Sequence, residues 1–249
     1  MPRFQISKYS RLFGLSSSLI VPLVRGFSST STTATDALSS LLKDPSLTNW
    51  PEKSTGANFP VYDPASPTTI LAKVSTRDPK EAIKKCSDAL PSWRDNTTAS
   101  HRASLLQKWS NLITSNADDI ATIMTLESGK PLAESHGEVN YAKSFLDYYA
   151  SEAIRPTGAG GGFMVPSPFP ASGGSPQGHV LVMQQAVGVA AMVTPWNFPL
   201  AMITRKVGPA LASGCTTVLK PSELTPLSAI ALKNLADKAG IPEGVFELV

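Results

Sequence analysis

Charge, cysteine and long apolar runs are all scarce in this chain, and each scarcity closes off a class of function. Only 16% of the 249 residues are charged, and the formal net charge is +3. A protein that grips nucleic acid needs a dense basic patch to displace counterions from phosphates. Much of the positive charge here, Arg3, Lys8, Arg11 and Arg25, falls in the first 35 positions, which contain no acid, and the remainder is close to neutral. No nucleic-acid partner is expected. The two cysteines, Cys86 and Cys215, lie far apart and lack the paired spacing of a zinc site or a disulfide framework, so the expectation is a reducing compartment and no bound metal. No stretch approaches the roughly 18 uninterrupted apolar residues that cross a bilayer. The best candidate, residues 19–24, is short and flanked by serine and arginine. A soluble protein with no membrane partner is expected.

What the chain does contain begins with an address. Residues 1–35 combine scattered basic residues, many serines and short apolar groups, the composition of a mitochondrial transit peptide. The run Arg25-Gly26-Phe27-Ser28 resembles a matrix-processing site, with cleavage expected near Phe27 or Ser28. A disordered Ser/Thr-rich tail and a secretory signal built on residues 19–24 are the competing readings.

Beyond the leader, 42% hydrophobic residues supply ample material for a core. Residues 58–74 place β-branched residues on both sides of a Pro/Ser turn, which predicts a short hairpin at a sheet edge. Asp78-Pro79-Lys80-Glu81 sets an N-cap, a proline at the first helical position and an acid in the first turn; it opens a helix expected to end at about Leu90, before Pro91. A second helix from about Thr98 carries Leu105, Leu106, Trp109, Leu112 and Ile113 at helical spacing. A third follows Asn116 and closes at Gly129, and a fourth runs from Pro131 to about Ala153 with Val139, Ala142, Phe145, Leu146 and Tyr149 on its apolar face. Residues 155–178 turn to Gly, Pro and Ser and are expected to be a mobile connector without a core. Strands over 180–184, 187–193, 216–219 and 245–249 then alternate with helices over 199–212 and 225–239. The fold class is therefore α/β: amino-terminal helices followed by the start of a Rossmann-like parallel sheet with crossover helices.

The segment between Thr194 and Ala229 carries the chemistry. It contains the box Pro195-Trp196-Asn197-Phe198-Pro199 and, twenty-odd residues on, Lys220-Pro221-Ser222-Glu223. With Leu126-Glu127-Ser128-Gly129-Lys130-Pro131 and the Asp63-Pro64-Ala65 turn, these boxes resemble those of the aldehyde dehydrogenases, over nearly everything after residue 50. The run Ala201 to Lys206 is most similar to the succinate-semialdehyde branch. The expected organisation is the compositional transit peptide at 1–35 followed, as the resemblance implies, by the amino-terminal part of an aldehyde dehydrogenase cofactor-binding domain at 50–249, incomplete. The resemblance also implies NAD(P)-dependent oxidation of an aldehyde, most similar to succinic semialdehyde becoming succinate in γ-aminobutyrate breakdown, and a homo-oligomer at full length.

Physical chemistry gives each box a task. A loop leaving the carboxyl end of a parallel strand sits where open α/β sheets bind ligands. There the Asn197 amide can donate to the oxyanion formed when a nucleophile attacks a carbonyl, and the resemblance implies that role; a helix cap is the structural alternative. The resemblance also assigns Thr194, Pro195, Trp196, Lys220, Pro221, Ser222 and Glu223 to the cofactor. Lys220 can donate to ribose hydroxyls and Glu223 can accept from them. The negative charge of Glu223 would repel a 2′-phosphate, which favours NAD, with NADP as the alternative. Otherwise both are ordinary charges at a helix start. Arg205 could pair bidentately with a substrate carboxylate, as the resemblance implies, or simply decorate an amphipathic helix.

The resemblance places the family's second glycine motif, general-base glutamate and nucleophilic cysteine beyond Val249, so the domain is expected to be incomplete and inactive alone. Cys86 and Cys215 are expected to be structural. The competing function, from a different class, is a non-catalytic short protein that binds nucleotide or joins full-length subunits.

Overall fold

A computed structural model of the chain describes residues 38–50, 57–156, 161–169 and 178–249. The transit peptide expected at 1–35, with cleavage expected near Phe27 or Ser28, lies outside the described residues. Strands β1 (Asn58–Asp63) and β2 (Ser66–Ser75) form an antiparallel hairpin whose turn is fixed by the Asp63 carboxylate accepting the Ala65 amide at 2.8 Å. The hairpin forms over the predicted residues, but it is a two-stranded sheet of its own and not the edge of the parallel sheet, contrary to the expectation of a sheet-edge position.

Helix α1 (Pro79–Asp95) opens as the sequence predicts, with the Asp78 carboxylate accepting the Lys80 amide at 2.9 Å and Pro79 in the first turn. It does not stop at Leu90 but continues through Pro91 to Asp95. An internal proline costs about 3 kcal/mol through the lost backbone bond and the ring clash. Opposing that cost, the turn beyond it carries Trp93, which is buried, and burying a large apolar side chain stabilises by about 1.5–3 kcal/mol.

Helices α2 (Ala99–Ser115), α3 (Ala117–Ser128) and α4 (Leu132–Ile154) make a helical layer. Leu105, Leu106, Trp109 and Ile113 are buried on α2, as their spacing predicts. Gly129 closes α3 with φ 72°, and a Cβ there would come within 3.0 Å of Pro64 Cγ, so this glycine also lets the hairpin turn approach the helix end.

The Gly/Pro-rich stretch after α4 is not a featureless connector. Its described part holds β3 (Gly162–Pro166), paired antiparallel with β4 (His179–Met183). Val, Met and Leu on either side have the strand propensity to form a ribbon. The strand predicted at 180–184 therefore belongs to this ribbon and not to the parallel sheet; residues 157–160 and 170–177 of the stretch lie outside the described residues.

The parallel sheet is β5 (Val189–Val193), β6 (Thr216–Lys220) and β7 (Phe246–Leu248), in that order, with α5 (Ala201–Ala212) and α6 (Pro226–Ala239) as crossovers. Side-chain alternation in β6 serves two layers. Val218 packs with Ala82 and Cys86 of α1, while its neighbour Leu219 joins the main core with α5 and α6. Trp109 locks that core: its indole donates to the Leu232 carbonyl at 3.1 Å and its ring lies 5.7 Å from that of Phe246. Among the described residues no helix is long and apolar enough to cross a membrane.

Two glycine substitutions should act in opposite directions. Gly129→Ala forces a side chain into left-handed backbone against Pro64 and should destabilise by about 1–2 kcal/mol. Gly137→Ala, inside α4 with nothing within 4 Å of the new methyl group, should stabilise by about 0.5–1 kcal/mol. Urea unfolding of both variants beside the parent measures the difference.

Candidate active site

Strands β5 and β6 pair with Val193 opposite Lys220, and the Thr194 amide donates to the Lys220 carbonyl at 3.2 Å. The two boxes therefore leave the carboxyl end of the sheet at one height, side by side. Thr194 is buried beneath the loop; Pro195, Trp196, Asn197 and Phe198 are exposed above it.

Lys220 points its ammonium at Glu223, 3.2 Å away, and donates to the Pro221 carbonyl at 3.2 Å. The backbone amide of Glu223 and the Lys220 ammonium hold the Glu223 carboxyl below its ordinary range. Glu223 stands between two clefts. One, of about 320 Å³, is lined by Trp50, Arg77, Lys220, Pro221, Ser222 and Glu223 among others. The second, of about 310 Å³, brings Trp196 of the first box to Glu223, Leu224 and Thr225 of the second. An exposed donor and acceptor at the rim of a largely apolar cleft suit the hydroxyls of a ribose, so these residues fit a dinucleotide.

Asn197 and Arg205 line neither cleft. The Asn197 side-chain amide makes no hydrogen bond among the described residues, and it is not the cap of α5, whose N-cap is Leu200. Arg205 is exposed on α5, with its guanidinium 5.8 Å from the centre of the Phe145 ring and 3.8 Å from Met202 Sδ. No carboxylate among the described residues pairs with it.

Both crossover helices start on residues that supply no side-chain cap, Leu200 and Thr225. The caps arrive from the helical layer. The Glu138 carboxylate of α4 accepts the amides of Leu200 at 2.9 Å and Ala201 at 3.1 Å. Glu127 of α3 does the same for α6, accepting the amides of Leu227 at 2.7 Å and Ser228 at 2.8 Å together with the Ser228 hydroxyl. Both glutamates are buried. Glu138 has an ion-pair partner in Lys130, whose ammonium also donates to the Asn197 carbonyl at 3.1 Å and lies 4.8 Å from the centre of the Phe198 ring. For Glu127, burial outweighs its three donors, and with a contribution from the Glu138 charge it pushes the carboxyl up to about 7. Sequence reasoning assigned no role to any of these three. Glu127 and Lys130 sat in a noticed box, whereas Glu138 on an amphipathic helix carries no local signal.

Cys86 and Cys215 are both buried, and burial pushes the Cys86 thiol up to about 12. That rules out Cys86 as a thiolate nucleophile near neutral pH.

A model of the aldehyde dehydrogenase family matches residues 50–249. The chain belongs to the aldehyde dehydrogenase family. It is 47% identical over 195 residues to the mitochondrial succinate-semialdehyde dehydrogenase of Homo sapiens, covering 78% of this chain and 34% of that protein. It is 46% identical over 202 residues to a glutarate-semialdehyde dehydrogenase of Pseudomonas aeruginosa, covering 80% and 40%. A succinate-semialdehyde dehydrogenase of Escherichia coli named for NADP(+) is 44% identical over 215 residues, covering 85% and 42%. The chain thus spans two-fifths or less of the first two relatives. Among solved structures, succinate-semialdehyde dehydrogenase from Burkholderia pseudomallei superposes with a TM-score of 0.74 at 41% identity, over 84% of this chain and 43% of that one. Betaine aldehyde dehydrogenase from Staphylococcus aureus in complex with NAD+ gives 0.73 at 27% identity, over 87% and 42%. The α/β fold of this family member, with its helices and parallel sheet, agrees with the class the sequence predicts.

The raised carboxyl of Glu127 has a defined sign. Its folded value of about 7 lies above the ordinary 4.5, so the folded state binds this proton more tightly than the unfolded state. The associated stabilisation is complete below the ordinary value and is lost as pH rises through the folded value. Relative to Glu127→Gln, the parent chain should lose on the order of 3 kcal/mol of unfolding free energy between about pH 4.5 and about pH 8. Urea unfolding of both across that range reads it; a constant difference would show that Glu127 stays ionised throughout.

Proposed function

We propose that this aldehyde dehydrogenase chain supplies the cofactor- and substrate-positioning part of an NAD-dependent oxidation of succinic semialdehyde to succinate, in the mitochondrial matrix. The observation that carries this reading is the pairing of Val193 with Lys220, which sets the Asn197 loop and the Lys220–Glu223 pair together at one end of the sheet. Bound there, NAD would accept the hydride. Lys220 and Glu223 would hold its adenosine ribose, with Thr194, Pro195, Trp196, Pro221 and Ser222 around it. The negative charge of Glu223 supports NAD over NADP; the NADP(+) in the name of the Escherichia coli relative keeps the alternative in view.

Asn197 presents an uncommitted amide and donates to the oxyanion that develops on the aldehyde, a contribution of about 3 kcal/mol to the transition state. Arg205 presents an unpaired guanidinium that binds the distal carboxylate of the substrate. Burial of both Cys86 and Cys215 supports a structural role for each and not that of the nucleophile. The acid-free, basic first 35 residues support import into the matrix. Exposed Met164, Leu181 and Met183 on the β3–β4 ribbon support assembly as a homo-oligomer.

Equilibrium dialysis of the chain against NAD and NADP should show NAD held more tightly, and Glu223→Gln should narrow the preference about tenfold, roughly 1.4 kcal/mol. Failure to bind either dinucleotide sinks the cofactor assignment. In protein that carries the nucleophile, Arg205→Ala should raise KM for succinic semialdehyde about 10–100-fold while leaving an uncharged aldehyde unaffected, the loss of a charge-assisted pair. Initial rates of NADH formation decide it. An equal loss for both substrates would remove Arg205 from specificity, and nucleotide binding without aldehyde oxidation there would favour a non-catalytic role.

A further inference from the structure

The contacts of Lys130 are unusual for a lysine that the sequence offers as one more polar residue after a helix end. Its side chain is 16% exposed, and its ammonium meets the Glu138 carboxylate, the Asn197 carbonyl oxygen and the face of the Phe198 ring. Two of those three partners are consecutive residues of the loop between β5 and α5. The third, Glu138, itself binds the other end of that loop through the amides of Leu200 and Ala201. The loop is therefore held at residues 197–198 and 200–201 by one buried ion pair, while the Asn197 side chain is left without a partner.

We infer that Lys130 and Glu138 are positioning residues for Asn197: together they fix its backbone so that its free side-chain amide is held in one place above the carboxyl end of β5. The inference rests on the role of Asn197 proposed above, and it states which residues make that role possible. A backbone held only by Thr194 on one side and α5 on the other would leave a run containing two prolines and two exposed aromatics to choose among conformations. An oxyanion donor must be in place before charge develops, and a displacement of about 1 Å can cost a hundredfold in rate. Lysine suits the task because one ammonium offers three donors at a point, enough for a carboxylate and a carbonyl together. Glutamate suits it because one carboxylate reaches two successive amides and the lysine. Neither group touches the reacting atoms.

The test uses the 249-residue chain labelled with 5-fluorotryptophan. Trp196 immediately precedes Asn197, and its fluorine resonance, identified with Trp196→Phe, reports on the loop; Trp50, Trp93 and Trp109 serve as controls elsewhere in the fold. Lys130→Met should broaden or divide the Trp196 line while leaving the other three lines in place, and Lys130→Arg should restore the single line. Should Lys130→Met fail to fold because it strands the Glu138 charge in the interior, the double variant Lys130→Met/Glu138→Gln, which removes both charges, carries the same expectation. A Trp196 line unchanged in the folded variant would overturn the inference, and so would broadening of all four lines together, which would make the pair a general support of the fold. The resonance does not depend on turnover, so absence of aldehyde oxidation bears on the proposed function and leaves this result intact.

Discussion

A carboxylate in the helical layer, aimed at the start of a helix in the sheet layer, fixes the geometry on which the candidate site depends. Helix α5 begins after Pro199, which has no amide hydrogen, and on Leu200, whose side chain cannot accept a hydrogen bond. The amides of Leu200 and Ala201 would be orphaned in the interior without Glu138. An unpaired buried amide costs about 1–3 kcal/mol, so the two together justify an acid in the core. A buried charge in turn needs a counter-charge, and Lys130 supplies it. The contact of Lys130 with Asn197 thus follows from a chain of satisfactions that begins with a proline.

The second crossover helix meets the same problem in the same way, with Glu127 accepting the amides of Leu227 and Ser228. The other end of α5 is compensated as well: the Arg102 guanidinium of α2 donates to the Ala212 carbonyl at 3.0 Å, placing a cation at the negative end of the helix dipole. Acids at helix starts and a base at a helix end are favourable by macrodipole alone, and here each also bridges two layers. The helical layer is therefore not a passive cover. It determines where α5 and α6 begin, and the register of β5 against β6 then sets the loops before those helices at a common height.

The sequence made much of this fold legible because the informative patterns are local. Helices α2 to α6 and the three parallel strands follow from periodicity, from Gly129 closing α3, and from the alternation of strand and helix. Three features were not legible, each for a physical reason. Helix α1 passes through Pro91 because a residue beyond it, Trp93, is buried, and burial is a tertiary fact that overrides a local breaker. The β3–β4 ribbon was hidden by the Gly/Pro-rich stretch between its strands, whose composition dominates any window laid over it. The trans caps join residues 62 to 101 positions apart, so no window could find them. Within the site, the two boxes were legible by spacing; the residues that hold them were not.

Glu127 and Glu138 perform one structural task in different electrostatic settings. Glu138 has Lys130 beside it, so its acceptor capacity comes with a counter-charge. Glu127 sits among neutral donors, and the charge of Glu138 adds to burial in pushing its carboxyl up. The difference follows from what lies beyond each helix start. The loop before α5 carries two consecutive residues, Asn197 and Phe198, with a carbonyl and a ring for a cation to grasp. The loop before α6 brings its own cation: Lys220 is turned outward to Glu223 at the cleft and does not face the helix layer.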